Sequence, residues 1–229
     1  MSARYTLFVG TKNWSSWSLR PYVALRATNA EFREVVVPLR QPDTWSNIRK
    51  LTGAERVPVL RIEEKDNRVD VFESLAICET LAERHPEASL WPKGSFARAF
   101  ARGISAAMHS GFPALRSALS MEFARRLPKP ELTREVTGEI SEILGYWHRA
   151  LEAYGASGEF LFGHLTIADC MYAPVVSRFR TYGIALDPDL ESYCDRVFAL
   201  PAMRDWLADS QREVEAGLPT ASTSSPPPD

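Results

Sequence analysis

The chain has 229 residues, of which 45% are hydrophobic, enough for one large domain or two modest ones with cores of their own. Its 27 basic and 29 acidic residues leave a formal net charge of -2, which makes a nucleic acid or an anionic membrane surface a poor partner. Uncharged apolar runs long enough to span a membrane are missing, and the N-terminus is too short and strand-like for a secretory leader.

Cysteine and histidine usage indicates a reduced protein without a metal. Cys78, Cys170 and Cys194 are widely spaced and odd in number, so they predict buried thiols in a cytoplasmic protein rather than a disulfide framework. The four histidines show no ligand-like spacing. We therefore expect a cytoplasmic location and no metal site.

The first 86 residues are predicted to alternate strands with helices. Short β-branched and aromatic runs predict strands, and apolar residues at helical spacing behind a capping residue predict helices. The order βαβα followed by ββα favours a parallel strand pair and then a hairpin. The strands are predicted at Tyr5–Val9, Phe32–Val37, Val57–Ile62 and Val69–Phe72, and the helices at Ser16 or Ser18 to Thr28, Asp43–Leu51 and Ser74–Glu83.

The character of the chain changes after Gly94, because nearly every later segment has a helical pattern. Pro113 should bend the first of these helices, since proline lacks a backbone donor. We expect an α/β domain at 1–86, a linker at 87–94, an all-helical domain at 95–216 and a disordered, low-complexity tail at 217–229. The helices are predicted at Ser95–Leu119, Thr133–Tyr154, Thr166–Tyr182, Pro188–Leu200 and Met203–Glu215.

Ser15 and Ser16 lie in the turn that joins the first strand to the first helix. A helix N-terminus presents unpaired N–H groups and a positive dipole end, so a thiolate there would be stabilised by the dipole and by a serine hydroxyl. Lowering a thiol pKa from about 8.5 to about 6.5 requires roughly 2.7 kcal/mol, most of which one charge-assisted hydrogen bond and a dipole can supply. The alternative is that the serines only cap the helix.

Two further fragments suit a peptide ligand. Pro58 opens an otherwise apolar strand, which suggests a cis Val57–Pro58 peptide bond. A cis bond would turn the backbone N–H and C=O of Val57 outward, where a peptide ligand could pair with them. The alternative is an ordinary trans proline. Ser74 at a helix start can receive a carboxylate, and Glu73 can accept from an ammonium. This pair fits an amino-acid zwitterion; the alternative is a capping serine with an acidic first turn.

In order and spacing, the serine turn, the Val-Pro pair and the Glu-Ser pair resemble the glutathione transferase superfamily. The segment Ser15-Ser16-Trp17-Ser18-Leu19-Arg20 is most similar to the serine motif of the zeta class, and next to that of the theta class. Near residue 166, Thr166 and Asp169 resemble the family's capping box. The resemblance covers the chain apart from its tail. It implies a thioredoxin-like α/β domain followed by an all-α domain, the glutathione transferase fold.

The resemblance also implies the site, residue by residue. Ser15 matches the serine that activates the thiol of glutathione, with Ser16 as the fallback. Val57, before Pro58, matches the residue whose backbone pairs with the cysteinyl unit. The γ-glutamyl end is expected at Glu73 and Ser74, the glycyl carboxylate at Lys12, Arg40 or Arg56, and the second substrate at Met108, His109, Phe112 and Arg116.

The implied activity is that of a glutathione transferase, in which glutathione is the co-substrate and its sulfur attacks a small-molecule electrophile, a detoxification reaction. Two alternatives stay open: a zeta-like maleylacetoacetate-type cis-trans isomerase, and a non-catalytic binding protein with the same fold. Trp17 stands where the zeta motif has cysteine. Arg178 and Arg180 lie near, but not at, the position of the zeta class's acid-binding arginine.

A homodimer is implied as well. Glu79 and Glu83 on one helix and Arg98 and Arg102 on the next carry opposite charges, and we expect them to face each other across a two-fold axis. Ordinary surface salt bridges are the alternative. No aromatic residue stands between Leu51 and Val57 as a hydrophobic key, so a polar interface is expected.

Overall fold

The computed structural model describes residues 3–218, except for the side chain of Ser157, so nearly all of the predicted tail lies outside the described residues. The first part of the chain holds four strands and three helices. Their bounds differ from the predicted ones by one or two residues, as is usual for element ends. The elements are β1 Arg4–Gly10, α1 Ser16–Ala27, β2 Phe32–Val37, α2 Thr44–Thr52, β3 Val59–Glu64, β4 Asn67–Phe72 and α3 Ser74–Arg84.

The strands form one mixed sheet in the order β2-β1-β3-β4. β1 runs parallel to β2, with Phe8 opposite Val35, and antiparallel to β3, with Leu7 opposite Leu60. β3 and β4 form a hairpin. A parallel pair needs a crossover, which α1 supplies, and the crossover brings the N-terminus of α1 to the carboxyl end of β1. The topology therefore places the serine turn at that end of the sheet.

Between residues 95 and 218, the last described residue, six α-helices follow the sheet. They are α4 Ser95–Ser110, α5 Pro113–Ala118, α6 Arg134–Tyr154, α7 Ile167–Tyr182, α8 Pro188–Phe198 and α9 Pro201–Glu215. Every residue of α7 except Arg180 is buried, as expected for a helix at the centre of a core. Because α1 packs against both α7 and α9, the two parts of the chain share a contact surface directly behind the serine turn. Among the described residues, every helix is too short or too polar to cross a bilayer.

The predicted single helix at 95–119 is wrong, because the structure divides it into α4 and α5. At the break Phe112 takes a left-handed conformation, with φ 59°, and Pro113 opens α5. Proline lacks the N–H that a continuing helix would use, and it is favoured in the first turn of a new helix. The carboxylate of Glu139 accepts hydrogen bonds from the next two N–H groups, at 3.2 and 2.6 Å, which stabilises the start of α5.

The predicted capping box opens α7. The backbone N–H and the hydroxyl of Thr166 both donate to one oxygen of Asp169, at 2.7 and 2.8 Å. The other carboxylate oxygen accepts from Leu161 N–H and the Tyr193 hydroxyl, each at 3.2 Å. Asp169 is completely buried, and this burial raises its pKa even though the four hydrogen bonds act in the opposite direction. One carboxylate thus holds three segments of the helical domain together.

Three of the four side chains expected to face each other across a two-fold axis have partners within the chain. Glu79 accepts from the Trp91 indole N–H at 2.8 Å and lies 3.6 Å from Nε of Arg102. Arg98 donates to the carbonyl oxygens of Pro92 and Lys93. Glu79 and Arg102 thus form a surface salt bridge within one molecule, and their contact across a two-fold axis stays a prediction.

Candidate active site

The hydroxyl of Ser15 lies at the N-terminus of α1. Ser15 occupies the N-cap position, so the prediction that Ser16 or Ser18 caps the helix is wrong. The Ser15 hydroxyl makes no capping hydrogen bond; its Oγ lies 2.8 Å from Ser18 Oγ, which in turn accepts from Gly10 N–H at 3.0 Å. Ser15 and Ser16 are only 6% and 7% exposed. A buried hydroxyl that is not used for capping can serve as a donor to a ligand anion.

Gly10 makes room for this hydroxyl. A Cβ atom added there would lie 3.0 Å from Ser15 Oγ and in closer contact with the side chain of Leu39. A methyl group there would displace the Leu39 side chain and press on the serine hydroxyl. We therefore expect that glycine at the end of β1 is needed for Ser15 to keep its present position.

A cleft of about 560 Å³ lies between Trp17, in the first turn of α1, and the segment that leads into β3. The Val57–Pro58 peptide bond at its wall is cis, which decides between the two alternatives left open by the sequence. β3 begins at Val59, two residues later than predicted, since proline cannot donate to the sheet ladder. Val57 therefore precedes the paired strand. The cleft is lined by Trp17, Gly53, Ala54, Glu55, Arg56, Val57, Pro58, Phe72 and Glu73.

Glu73 lines the cleft at the N-terminus of α3, and Ser74 follows it as the first residue of the helix. Glu73 takes a positive φ of 71°, and its exposed carboxylate lies 3.7 Å from Nε2 of His109. Ser74 is completely buried, and its Oγ has no hydrogen-bond partner among the described residues. A buried hydroxyl without a partner is costly unless a ligand satisfies it. The pair therefore presents one anionic group and one unsatisfied hydroxyl.

The three basic candidates for the glycyl carboxylate lie in different surroundings. The Lys12 ammonium is buried, pairs with Glu34 at 2.5 Å and also with Asp209, so it is not available to a ligand. Burial lowers its pKa, but the two carboxylates outweigh this and raise it overall. The Arg40 guanidinium stacks on the Trp14 ring, 4.4 Å from its centre. Arg56 lies at the cleft itself and is exposed.

The four residues predicted for the second substrate divide into two pairs. Met108 and Phe112 are 0% and 5% exposed and belong to the hydrophobic core, which corrects their assignment as lining residues. His109 and Arg116 instead surround Trp17. The imidazole of His109 meets the indole edge-on at 5.4 Å, and the Arg116 guanidinium lies 5.3 Å from the ring centre. Burial lowers the pKa of His109, so its ring is neutral at neutral pH.

Arg116 also belongs to a cluster of three arginines beside Trp17, the other two being Arg20 and Arg178. Arg20 stacks on the indole at 4.1 Å and donates through Nε to Met171 O at 3.1 Å. Arg178 donates through Nε to a carbonyl oxygen of α5's C-terminal end at 2.6 Å. Four terminal guanidinium nitrogens of the cluster have no hydrogen-bond partner, and no carboxylate of the described residues forms an ion pair with any of the three.

Burial is the main reason that the pKa values of these three arginines are lowered, and repulsion within the cluster lowers those of Arg20 and Arg178 further. The pKa of Arg20 falls from 12.5 to about 9, first through burial and then through the charges of Arg178 and Arg116. The pKa of Arg178 falls to about 10 for the same two reasons, and that of Arg116 is lowered by burial. Arg20 and Arg178 are buried, Arg116 is half-buried, and the nearby charge of Glu139 acts against burial to raise the pKa of Arg116. Two buried cations and a half-buried one, none in an ion pair with a carboxylate of the described residues, form a site that favours a negatively charged group.

Sequence reasoning missed Arg20 and left Arg178 unassigned. The one signal for Arg20 is its position in a helix whose neighbours Leu19, Tyr22 and Val23 are all apolar and buried. Arg178 lies in α7, where only a tertiary contact could distinguish it from Arg180, whose guanidinium stacks on Phe198 at 3.8 Å. Residues that converge from three helices leave no periodic pattern in the sequence.

Comparisons with known families agree with this geometry. Residues 14–84 match the glutathione S-transferase N-terminal domain, and residues 133–209 match the C-terminal domain of the same family. The first match contains the serine turn, the cis proline and the Glu-Ser pair. The second contains the capping box and Arg178. The predicted fold class, a thioredoxin-like domain followed by an all-helical domain, is confirmed.

Two relatives and one solved structure illustrate the similarity. A probable maleylacetoacetate isomerase from Caenorhabditis elegans is 30% identical over 183 residues, covering 76% of this chain and 79% of the relative. A maleylacetoacetate isomerase from Dictyostelium discoideum is 32% identical over 212 residues, covering 87% and 91%. A Burkholderia glutathione transferase homologue with bound glutathione superposes with a TM-score of 0.66 at 24% identity, covering 91% and 98%. The chain therefore belongs to the glutathione S-transferase family and is a glutathione-dependent enzyme.

Proposed function

We propose that this glutathione transferase acts on a small electrophile that carries a carboxylate, with the arginine cluster as the site of that carboxylate. The single observation that carries the proposal is the cluster of Arg20, Arg116 and Arg178 near Trp17. Two of its guanidinium groups are buried and one is half-buried, and none forms an ion pair with a carboxylate of the described residues. Burying a cation without an anionic partner costs free energy of folding. We expect a protein to retain such a cation where an anionic ligand binds it. Guanidinium groups also bind carboxylates with two parallel hydrogen bonds, which orients the electrophile.

Glutathione is proposed to lie along the cleft. Its γ-glutamyl carboxylate would satisfy the orphaned Ser74 hydroxyl, and its ammonium would pair with Glu73. The cysteinyl unit would pair with the Val57 backbone, which precedes the paired strand. Arg56, which lines the same cleft, is the basic residue best placed for the glycyl carboxylate. In this pose the sulfur lies at the N-terminus of α1.

Ser15 is proposed to hold that sulfur as a thiolate. Its hydroxyl donates to the sulfur, while Ser18 supplies a second hydroxyl that can donate to Ser15 Oγ, and the helix dipole adds to both. The thiolate then forms a carbon–sulfur bond with the electrophile. In a displacement the leaving group departs with the electron pair of its bond to carbon. In an addition to a conjugated double bond, the π electron pair of that bond moves through the conjugated system to the carbonyl oxygen.

Replacing Ser15 by alanine tests this role. We expect the pKa of bound glutathione to rise by about 1 to 2 units and turnover to fall about 10- to 100-fold at neutral pH, since each unit is a factor of ten in thiolate. The Michaelis constant for glutathione should stay nearly constant, because Ser74 and Val57 carry the binding. Ser16→Ala is the matched control. A Ser15→Ala enzyme with an unchanged pH–rate profile would remove Ser15 from the mechanism.

Cis-trans isomerisation is the second candidate activity, and the relatives named maleylacetoacetate isomerase favour it. The substrate in that name is a carboxylic acid with a cis double bond. Addition of the thiolate would turn that double bond into a single bond, rotation would follow, and elimination would return the thiolate. Turnover of a cis-dienoic diketo acid, compared with that of a chlorinated aromatic, distinguishes the two activities. Failure to be retained on a glutathione matrix would instead favour a protein that has kept only the fold.

A cytoplasmic homodimer that detoxifies acidic electrophiles completes the proposal. The apolar side chains Val69 and Phe72 on the edge strand β4 are 53% and 63% exposed, and Phe96 at the start of α4 is 85% exposed. Together with the polar interface expected from the sequence, these exposed side chains offer contacts to a second copy of the chain. All three cysteines are unpaired, as suits a reducing compartment. Sedimentation equilibrium at micromolar concentration should give twice the monomer mass, and a monomer would contradict the dimer.

A further inference from the structure

The loop before the serine turn, Thr11–Trp14, is held by the C-terminal helix. The backbone N–H groups of Lys12 and Asn13 both donate to the carboxylate of Glu213 in α9, at 2.8 Å each. The Trp206 indole N–H, also in α9, donates to the Lys12 carbonyl oxygen at 2.7 Å. Three backbone groups of two consecutive residues are thus bound to a helix about 200 residues further along the chain.

The side chains of the same loop are held as firmly. Asn13 donates to Glu122 at 2.8 Å, accepts from Ala124 N–H at 3.0 Å through its side chain, and accepts from Phe123 N–H at 2.8 Å through its carbonyl oxygen. The loop is therefore closed on one side by α9 and on the other by the segment after α5. Little backbone freedom remains at the two residues before Trp14.

This restraint is passed on to the serine through the backbone. Ser15 N–H donates to Thr11 O at 2.9 Å, so the loop closes on itself at the residue whose hydroxyl is proposed to meet the sulfur. A donor must be held within a few tenths of an ångström to favour an anion strongly, and a donor on a loop needs a rigid support. The carboxylate on α9 supplies two of the hydrogen bonds in that support.

We propose that Glu213 is a positioning residue for catalysis, whose carboxylate fixes the backbone at Lys12 and Asn13 and thereby holds the Ser15 hydroxyl against the thiol of glutathione. The inference rests on the proposed role of Ser15. When the charge of Glu213 is removed, the direction in which the thiol pKa changes distinguishes a positioning role from a direct electrostatic effect. A negative charge near the site disfavours a thiolate, so removing it without loosening the loop would lower the thiol pKa. Loosening the loop raises that pKa instead.

The charges that face Glu213 are Lys12 on the loop, Asp209 on its own helix and, through Lys12, Glu34 on β2. Burial raises the pKa of Glu213, so protonation begins at milder acidity than for an exposed glutamate. A protonated carboxyl is a poorer acceptor for two N–H groups. The fraction of bound glutathione present as thiolate should therefore fall more steeply on the acid side than a single thiol titration predicts.

The test is Glu213→Gln in the full chain, read from the ultraviolet absorbance of bound glutathione thiolate as a function of pH, together with kcat and KM. We expect the thiol pKa to rise by about half a unit to one unit and kcat at neutral pH to fall about 3- to 10-fold, since one unit is a factor of ten in thiolate. KM for the electrophile should change less than about twofold, because the loop does not bind it. The exposed Glu215→Gln, on the same helix, should match wild type.

A thiol pKa that is unchanged or lowered in Glu213→Gln would overturn the inference, whatever happens to the melting temperature. If Ser15→Ala raises the pKa of the bound thiol and Glu213→Gln does not, only the positioning role of Glu213 is refuted. If Ser15→Ala also leaves that pKa unchanged, the proposed role of Ser15 is itself refuted. Should Glu213→Gln fail to fold, Trp206→Phe removes a different hydrogen bond to the same loop and must raise the pKa in the same direction for the inference to stand.

Discussion

We expect Arg178 to lower the free energy of unfolding and to raise the activity on acidic substrates. The Arg178→Met variant allows both effects to be measured. The lowered pKa, about 10 against the ordinary 12.5, means that the fold disfavours the charged form. At about 1.4 kcal/mol per unit, this amounts to about 3 kcal/mol. Because the folded pKa lies below the unfolded one, the penalty is fully present at neutral pH and fades only as the pH rises above about 10.

Methionine has a similar length and no charge, so the variant removes that penalty with little loss of packing. It also removes the hydrogen bond from Nε to the Leu119 carbonyl oxygen, which costs about 1 to 2 kcal/mol in a buried setting. The net expectation is a free energy of unfolding between unchanged and about 2 kcal/mol higher. Urea denaturation of wild type and variant, compared at equal m-values, measures this difference.

Activity should move in the opposite direction. Losing one charged hydrogen bond to a substrate carboxylate costs about 1.5 to 3 kcal/mol, which lowers kcat/KM about 10- to 100-fold. The assay uses an α,β-unsaturated keto acid and its methyl ester, since the ester lacks the group that the arginine cluster binds. In the Arg178→Met variant, kcat/KM should fall for the acid and stay unchanged for the ester. A variant that is strongly destabilised, or that loses equal activity on acid and ester, would refute the account of the arginine cluster as an anion site kept for function.

Two further predictions concern stability and the serine turn. Asp169→Ala leaves four donors without an acceptor, including the N–H and hydroxyl groups of Thr166 and the Tyr193 hydroxyl. It should lower the free energy of unfolding, measured by urea denaturation, by about 3 kcal/mol or more. A loss below about 1 kcal/mol would show that the capping box is only a local cap. Gly10→Ala places a methyl group 3.0 Å from Ser15 Oγ and should lower kcat about tenfold with a raised thiol pKa; wild-type kcat would contradict the requirement for glycine there.

Much of the glutathione site could be predicted because each part of it is local. The serine turn, the Val-Pro pair and the Glu-Ser pair are local patterns, and their order and spacing carried the resemblance to the family. In the structure Trp17, Val57, Pro58 and Glu73 line one cleft. Local patterns also predicted the parallel strand pair and the hairpin, whereas only the structure gave the order in which the four strands join.

Local patterns misled where a side chain's partner is distant. Lys12 has the charge for a glycyl carboxylate, yet its ammonium pairs with Asp209, which is 197 residues away. Met108 and Phe112 lie on the helices expected to face the substrate, but they point into the core. In the same region Pro113 begins a new helix rather than bending an existing one, because the break at Phe112 is stabilised by a carboxylate from α6.

The sequence by itself determined the order of the elements, because this depends on propensity, periodicity and short-range spacing. Its motifs also carried the resemblance to the family, and that resemblance implies the residues proposed to bind glutathione. Only the tertiary structure decided what surrounds them. Arg20, Arg116 and Arg178 come from three helices that meet behind Trp17, and Glu213 reaches the serine turn from the last helix. Such contacts arise when whole faces pack, and the electrostatics of the site follow from burial, which no single segment of the chain encodes.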